Sequence, residues 1–157
     1  MAAGERLAND ELLLRRFDPG DDRHWSSDDA GKPARLRSPA VQFDESTDGS
    51  RMECSVYQDS KLSSLGLRRM DCLESGRLLW DIATATSGEV RRILRPSVPA
   101  QPNPFDVLED EYPDGLVGAH SRDGAHAIVM HATPLKGSDK WYREIALKFR
   151  RDSVHGT

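Results

Sequence analysis

The sequence predicts an α+β fold: a single small domain with a mixed or mainly antiparallel sheet, short helices and a C-terminal helix packed on it. Three observations carry this. Apolar runs of strand length recur along the chain without the repeating βαβ rhythm of a parallel sheet. Residues 52–57 (MECSVY) alternate strictly, with Met52, Cys54 and Val56 on one side and Glu53, Ser55 and Tyr57 on the other. Near the C-terminus, Trp141, Ile145 and Phe149 fall at i, i+4 and i+8, one helical stripe that Ala146 and Leu147 broaden. A chain of 157 residues suits one core. A hydrophobic share of 37% beside 31% charged residues is lean, so substantial polar loops are expected around the ordered body.

Taken in order, residues 11–17 (ELLLRRF) open the ordered region. Asp10 can cap a short helix there, but the leucine run favours a buried edge strand. A polar loop follows near 18–35, with Pro19-Gly20, Asp21-Asp22 and the group Ser26 to Asp29 as turn formers. Residues 36–43 (LRSPAVQF) read as a second strand, which Pro39 restricts to an edge or a bulge. A turn cluster over 44–50 leads into the alternating strand. Residues 60–67 read as one or two helical turns, with Ser60 as cap and Gly66 as the stop.

Residues 77–83 (RLLWDIA) are apolar enough for another strand. Thr86 and Glu89 have the spacing of a capping box and place a short helix over 88–94. Pro96, Pro99, Pro102 and Pro104 then forbid regular structure. The resulting Pro-rich acidic loop, near 96–115, runs on through Asp106, Glu109, Asp110, Glu111 and Asp114. Residues 125–132 (AHAIVMHA) are the best candidate for a central strand. After a turn over 133–137, Ser138 caps a final helix over 139–151, with Asp139 at its positive end and Lys148, Arg150 and Arg151 at its negative end.

The bulk properties also bound function. The net charge is −4, with 22 basic and 26 acidic residues well mixed, so nucleic acid is not an expected partner. No apolar run approaches the roughly 18 residues that span a bilayer. Residues 1–7 carry Glu5 and Arg6 where a signal peptide has an apolar centre, so a cytoplasmic location is expected and a membrane partner is not. Cys54 and Cys72 form no CxxC pair. In a reducing compartment they read as buried apolar side chains, with a disulfide as the minor alternative.

Three groupings of side chains are candidates for a site. His126 and His131, five apart on a strand, point to opposite faces and cannot share one ion. His120, His126 and Asp123 lack the ligand spacing of a zinc motif, so neither a metal nor a cofactor is expected. Arg15, Arg16, His24 and Trp25 form the second grouping. A guanidinium fork at a strand end, beside an imidazole and an aromatic ring, can grip phosphate. The plainer reading pairs one arginine with Asp18, Asp21 or Asp22 and lets Trp25 cover the edge of the core. In the third grouping, Phe105, Leu108 and Tyr112 are interleaved with the acidic residues of the Pro-rich loop. They make it a candidate partner-docking segment that orders on binding, against the plainer reading of a solvated loop. No GxSxG, P-loop, GxGxxG or HExxH motif occurs, and no histidine is placed by sequence against either cysteine, so an enzyme is the less favoured reading.

Several short motifs, taken in order, resemble a family of small, mostly actinobacterial proteins without an assigned function. They are residues 14–17 followed by Pro19 and His24, residues 37–43, 54–59 (CSVYQD), 82–92 (IATATSGEVRR), and 124–130 (GAHAIVM) ahead of a closing helix that contains lysine and arginine. The order covers most of the chain, which departs from the family by a longer N-terminus and an insertion around 96–114. The resemblance implies a single domain in an accessory protein of a bacterial multi-gene system. It supplies no reaction and no ligand.

Two function classes remain as expectations. The first is a non-enzymatic interaction or regulatory protein, of adaptor or immunity type, whose protein partner is encoded nearby. The second is an enzyme or nucleotide binder similar to ADP-ribosyltransferase or RES proteins, whose folds also begin with an arginine-bearing strand followed by a serine-bearing one. Arg15 or Arg16 would then hold the pyrophosphate, Ser38 would be the second element and Glu53 the polar catalytic group. A pocket that gathers Arg15 or Arg16 with His24 and Glu53 is the mark of that second class.

Overall fold

The computed structural model of the chain describes residues 5–26, 34–46, 48–73, 80–93, 102–109, 124–133, 135 and 137–152. Its strands are β1 (Leu12–Phe17), β2 (Trp25–Ser26), β3 (Arg35–Leu36), β4 (Asp44–Glu45), β5 (Arg51–Gln58), β6 (Asp81–Thr86), β7 (Asp106–Glu109), β8 (His126–Ala132) and β9 (Arg150–Asp152). The helices are α1 (Asp59–Ser64), α2 (Ser87–Arg91) and α3 (Ser138–Lys148), with 3-10 turns at Ser38–Ala40 and Arg69–Cys72. Seven strands form one sheet in the order β7-β8-β5-β1-β6-β9, with β4 added beside β5, while β2 and β3 pair separately. Every ladder is antiparallel. This is the α+β class that the sequence predicts.

The alternating strand β5 is the spine. It pairs along its length with β8, from Arg51↔Ala132 to Tyr57↔His126. Its other edge is shared: β4 takes the start (Glu45↔Met52) and β1 takes the end (Leu13↔Gln58). Alternation sends Cys54 and Val56 into the larger core and Tyr57 into a second cluster on the opposite face. The larger core takes Leu13, Phe17, Ala83, Val107 and Val129 from the sheet and Trp141, Ile145 and Phe149 from the end of the chain, the stripe read from sequence. The second cluster packs Leu14, Tyr57 and Ile82 against Leu62 of α1 and against Cys72 and Leu73. Both cysteines are buried and neither is in a disulfide, as expected.

The capping box at Thr86 and Glu89 forms. The Glu89 amide donates to Thr86 Oγ1 at 3.1 Å, and the Thr86 amide donates to Glu89 Oε1 at 3.0 Å. The helix it starts ends at Arg91, short of the predicted 94. Its second residue must be small: a Cβ on Gly88 would lie 2.9 Å from the Asn9 carbonyl oxygen.

Other elements differ from the sequence reading for local reasons. The run 36–43 is strand only at Arg35–Leu36. Pro39 then enters the first turn of the 3-10 helix Ser38–Ala40, where its missing amide leaves no bond unmade. Within the predicted polar loop, Trp25 and Ser26 form β2 against β3. Asp44 and Glu45, read as turn, pair with β5 as β4, and the turn closes at Gly49 with φ 73°. Helix α1 starts one residue earlier than Ser60, with Gln58 at the N-cap position, and Gly66 follows it at φ 75°. The apolar run 77–83 becomes strand only from Asp81, while residues 77–79 lie outside the described residues.

The final helix starts from Gly137 in the left-handed region (φ 68°), with no side-chain cap from Ser138. It stops at Lys148. Phe149 turns extended to keep its ring in the core, and Arg150–Asp152 pair with β6 as β9. The Pro-rich acidic loop is corrected most. Residues 102–105 carry no regular structure, but Asp106–Glu109 is the edge strand β7. Its carboxylates are matched by cations: Asp106 meets Arg6 and Arg91, and Glu109 meets Lys61. Phe105 and Leu108 are 6% and 8% exposed, so they serve packing and present no docking surface. Tyr112, Asp110, Glu111, Asp114, His120 and Asp123 lie outside the described residues.

Phe105→Ala is expected to cost about 3–5 kcal/mol in urea unfolding, the loss typical of a buried phenylalanine. An unchanged midpoint would return Phe105 to the surface.

Candidate functional site

The arginines of the N-terminal strand are spent on backbone. Arg15 Nε donates to the Ala40 carbonyl at 2.9 Å, and its Nη1 donates to the Ser55 carbonyl at 2.8 Å. Arg16 is its neighbour on a strand and so points to the other face. There its Nη1 donates to the Cys72 carbonyl at 3.3 Å, and its guanidinium lies 5.6 Å from the centre of the Tyr57 ring. Glu53 meets Arg51 at 2.7 Å. Ser38 sits in the 3-10 turn. Arg15 is close enough to His24 to act on its titration, but Arg16 faces away and Glu53 is paired within its own strand. Arg15 thus lies near His24, while Arg15 and Arg16 are engaged on carbonyls and Glu53 on Arg51.

The nearby acidic residues are also used locally. Asp21 pairs with Arg23 at 2.9 Å, and this contact with its hydrogen bonds holds the Asp21 carboxyl down to about 2. Trp25 packs on Phe17 at 5.4 Å, under the Arg151 guanidinium at the same centroid distance, and covers the core edge as the plainer reading has it. His24 accepts the Asp18 amide on Nδ1 at 3.0 Å and sits edge-on to Trp80. Burial pushes its pKa down, with Asp21 and Asp18 opposing and Arg15 and Arg23 assisting.

An open groove of about 350 Å³ lies between the segment 38–43 and the first turns of α3. Ser38, Pro39, Val41, Gln42, Phe43, Asp139 and Tyr142 line it. Pro39 sets the segment's course, because the 3-10 turn it begins delivers Val41 to the core and leaves Gln42 exposed and Phe43 half-buried. On α3, Trp141 is buried and its neighbour Tyr142, one helical step off the core stripe, reaches the boundary. Phe43 and Tyr142 stack in parallel, 4.4 Å between centroids and 8° between planes.

Beneath them is His131, 1% exposed. A carbonyl can only accept, so the 3.0 Å contact of His131 Nδ1 with the Ala132 oxygen places the proton on Nδ1. Nε2 then accepts the Tyr142 hydroxyl at 2.6 Å. Phe105 stands edge-on to the same imidazole at 5.7 Å. His126 meets Tyr57 on the far side of the sheet, as the five-residue spacing requires.

Burial, with Cys54 nearby, raises the Tyr142 pKa, so the phenol stays a donor to His131 at neutral pH. Burial likewise raises the Cys54 thiol, against the pull of Arg15. Both shifts oppose what a nucleophile or base requires. Among the described residues, no three His, Cys, Asp or Glu side chains gather as a metal site. No described helix is long and apolar enough to cross a membrane.

Phe43 and Tyr142 escape a sequence reading, since only the fold stacks them. The one available signal is an aromatic residue beside the core stripe of the final helix. Comparison with family models, curated proteins and solved structures finds no match.

Tyr142→Phe removes the donor to a buried imidazole nitrogen and is expected to cost about 1–3 kcal/mol in chemical denaturation. His24 gives a pH signature. Its pKa is lower folded than unfolded, so its contribution is complete above the unfolded value of 6.5 and is lost as pH falls below it. The melting temperature should fall between about pH 7 and about pH 5, and His24→Asn should flatten that slope. An identical slope in the variant would exclude His24 as its source.

Proposed function

We propose that the protein is a non-enzymatic interaction or regulatory protein, of adaptor or immunity type, which docks a protein partner in the groove between residues 38–43 and α3. The supporting observation is the stacked Phe43–Tyr142 pair, half-buried and fixed from below by His131. A ring already ordered in the free protein loses little side-chain entropy on binding, and tyrosine is enriched at interfaces for this reason. A bacterial origin, a cytoplasmic location, a partner encoded nearby and membership of the accessory family are parts of the same proposal, resting on the order of the sequence motifs. Phe105 and Leu108 leave it because they are core residues. Tyr112 and the acidic residues around it stay as a candidate second contact. The ADP-ribosyltransferase or RES reading loses support, because Arg15 and Arg16 are bound to carbonyls and Glu53 to Arg51.

The full chain, tagged and co-expressed with the product of the neighbouring gene, is expected to retain that product. Gln42→Arg, at an exposed position on the groove, should abolish retention, whereas Leu65→Ser, exposed in the Ser60–Leu67 region away from the groove, should not. Retention that survives Gln42→Arg would place docking elsewhere. Millimolar NAD is expected to leave the melting temperature unchanged, and a saturable rise would restore the nucleotide reading.

A further inference from the structure

We infer that the occupant of this groove is an arginine side chain presented by an extended segment of the partner protein, an inference that rests on the groove being the docking site. The groove offers two aromatic rings, polar side chains and the carboxylate of Asp139. Aromatic faces attract cations, and a planar guanidinium stacks on them better than an ammonium does. Phe43 and Tyr142 supply the rings, and Ser38, Gln42 and Asp139 are the polar residues of the same lining. A guanidinium has five donors in a fixed fork and no acceptor, and its planar face suits an apolar wall while its donors reach the polar residues at the edge.

Charge points the same way. Asp139 is exposed on the wall, and Asp44 and Glu45, both exposed, follow directly after Phe43. No lysine or arginine stands among the described lining residues. Lys140 and Arg143 are exposed on α3 beside Asp139 and Tyr142 but do not line the groove. Of the arginines near this wall, Arg15 is engaged on the carbonyls of Ala40 and Ser55, Arg37 on the carbonyl of Asp22 and Arg51 on Glu53. The fold already uses the same contact within itself, with Arg151 over Trp25 and Arg16 over Tyr57.

The test is an NMR titration of the full chain with acetyl-Gly-Arg-Gly-amide, beside the same peptide bearing citrulline or norleucine. The arginine peptide should shift resonances at residues 42–44 and 139–142. It should bind about 2- to 5-fold more tightly than the citrulline peptide, the range of an exposed cation–π contact. Asp139→Asn should erase most of that preference. Asp44→Asn, at a residue whose side chain accepts from Gln42 Nε2 of the lining, should weaken it without touching the start of the helix, and a melting curve on each variant confirms folding. Equal binding of the citrulline or norleucine peptide would overturn the arginine assignment and leave the groove as an apolar docking surface. No response to any peptide would overturn it too, and the fate of the docking site would then follow from the Gln42→Arg retention experiment.

Discussion

A sheet that is apolar on both faces must be covered on both, and among the described residues there is one long helix with which to do it. Helix α3 covers part of one face; turns, short helices and irregular segments cover the rest. Arginines hold many of these pieces down. Arg15 ties the 3-10 turn Ser38–Ala40 to β5, and Arg16 ties Cys72 to β1. Arg69 joins Asp59 at the start of α1 to Asp152 of β9. Arg91 reaches the carbonyls of Leu7 and Val107 and the carboxylate of Asp106, closing the N-terminal segment and α2 over β7. A guanidinium suits this work, since its donors lie in a fixed fork and hydrogen bonds to a charged donor contribute roughly 1.5–3 kcal/mol each.

The same arrangement explains how a lean composition sustains a core. Asp81 is fully buried beneath Arg151, whose guanidinium also lies over Phe17 and Trp25. A charge pair of this kind adds little net stability compared with an apolar pair of the same volume, yet losing one partner strands a buried charge. Here it fixes β9 beside β6 and holds Trp25 against the end of β1. The β9 pairing is also why the final helix cannot run on to 151.

Features carried by one local pattern were legible in the sequence: the alternation of β5, the stripe of α3 and the Thr86–Glu89 box. Features decided by a distant partner were not. Asp106–Glu109 reads as solvated acid until Arg6, Arg91 and Lys61 neutralise it and β8 pairs with it. The run 36–43 has a strand's composition, but Pro39 does more in a 3-10 turn than it could in a ladder. Arg15 and Arg16 have the residue type of a phosphate grip. Their role depends on which carbonyls come within reach, and those lie on elements that approach only in the folded chain.

The candidate site is the sharpest case of that distance. Tyr142 is half-buried because α3 sets its ring beside the core stripe, and Phe43 meets it because Pro39 steers the segment that follows. What holds the pair is His131, on a strand paired along both edges, by β5 and by β7. An apolar residue there would fill the same space without the demand for two hydrogen bonds, and buried polar groups are often dispensable for stability. It would also leave the Tyr142 hydroxyl without its partner and the ring free to turn. The imidazole therefore serves position: it carries the rigidity of the sheet through one hydrogen bond to the wall of the groove.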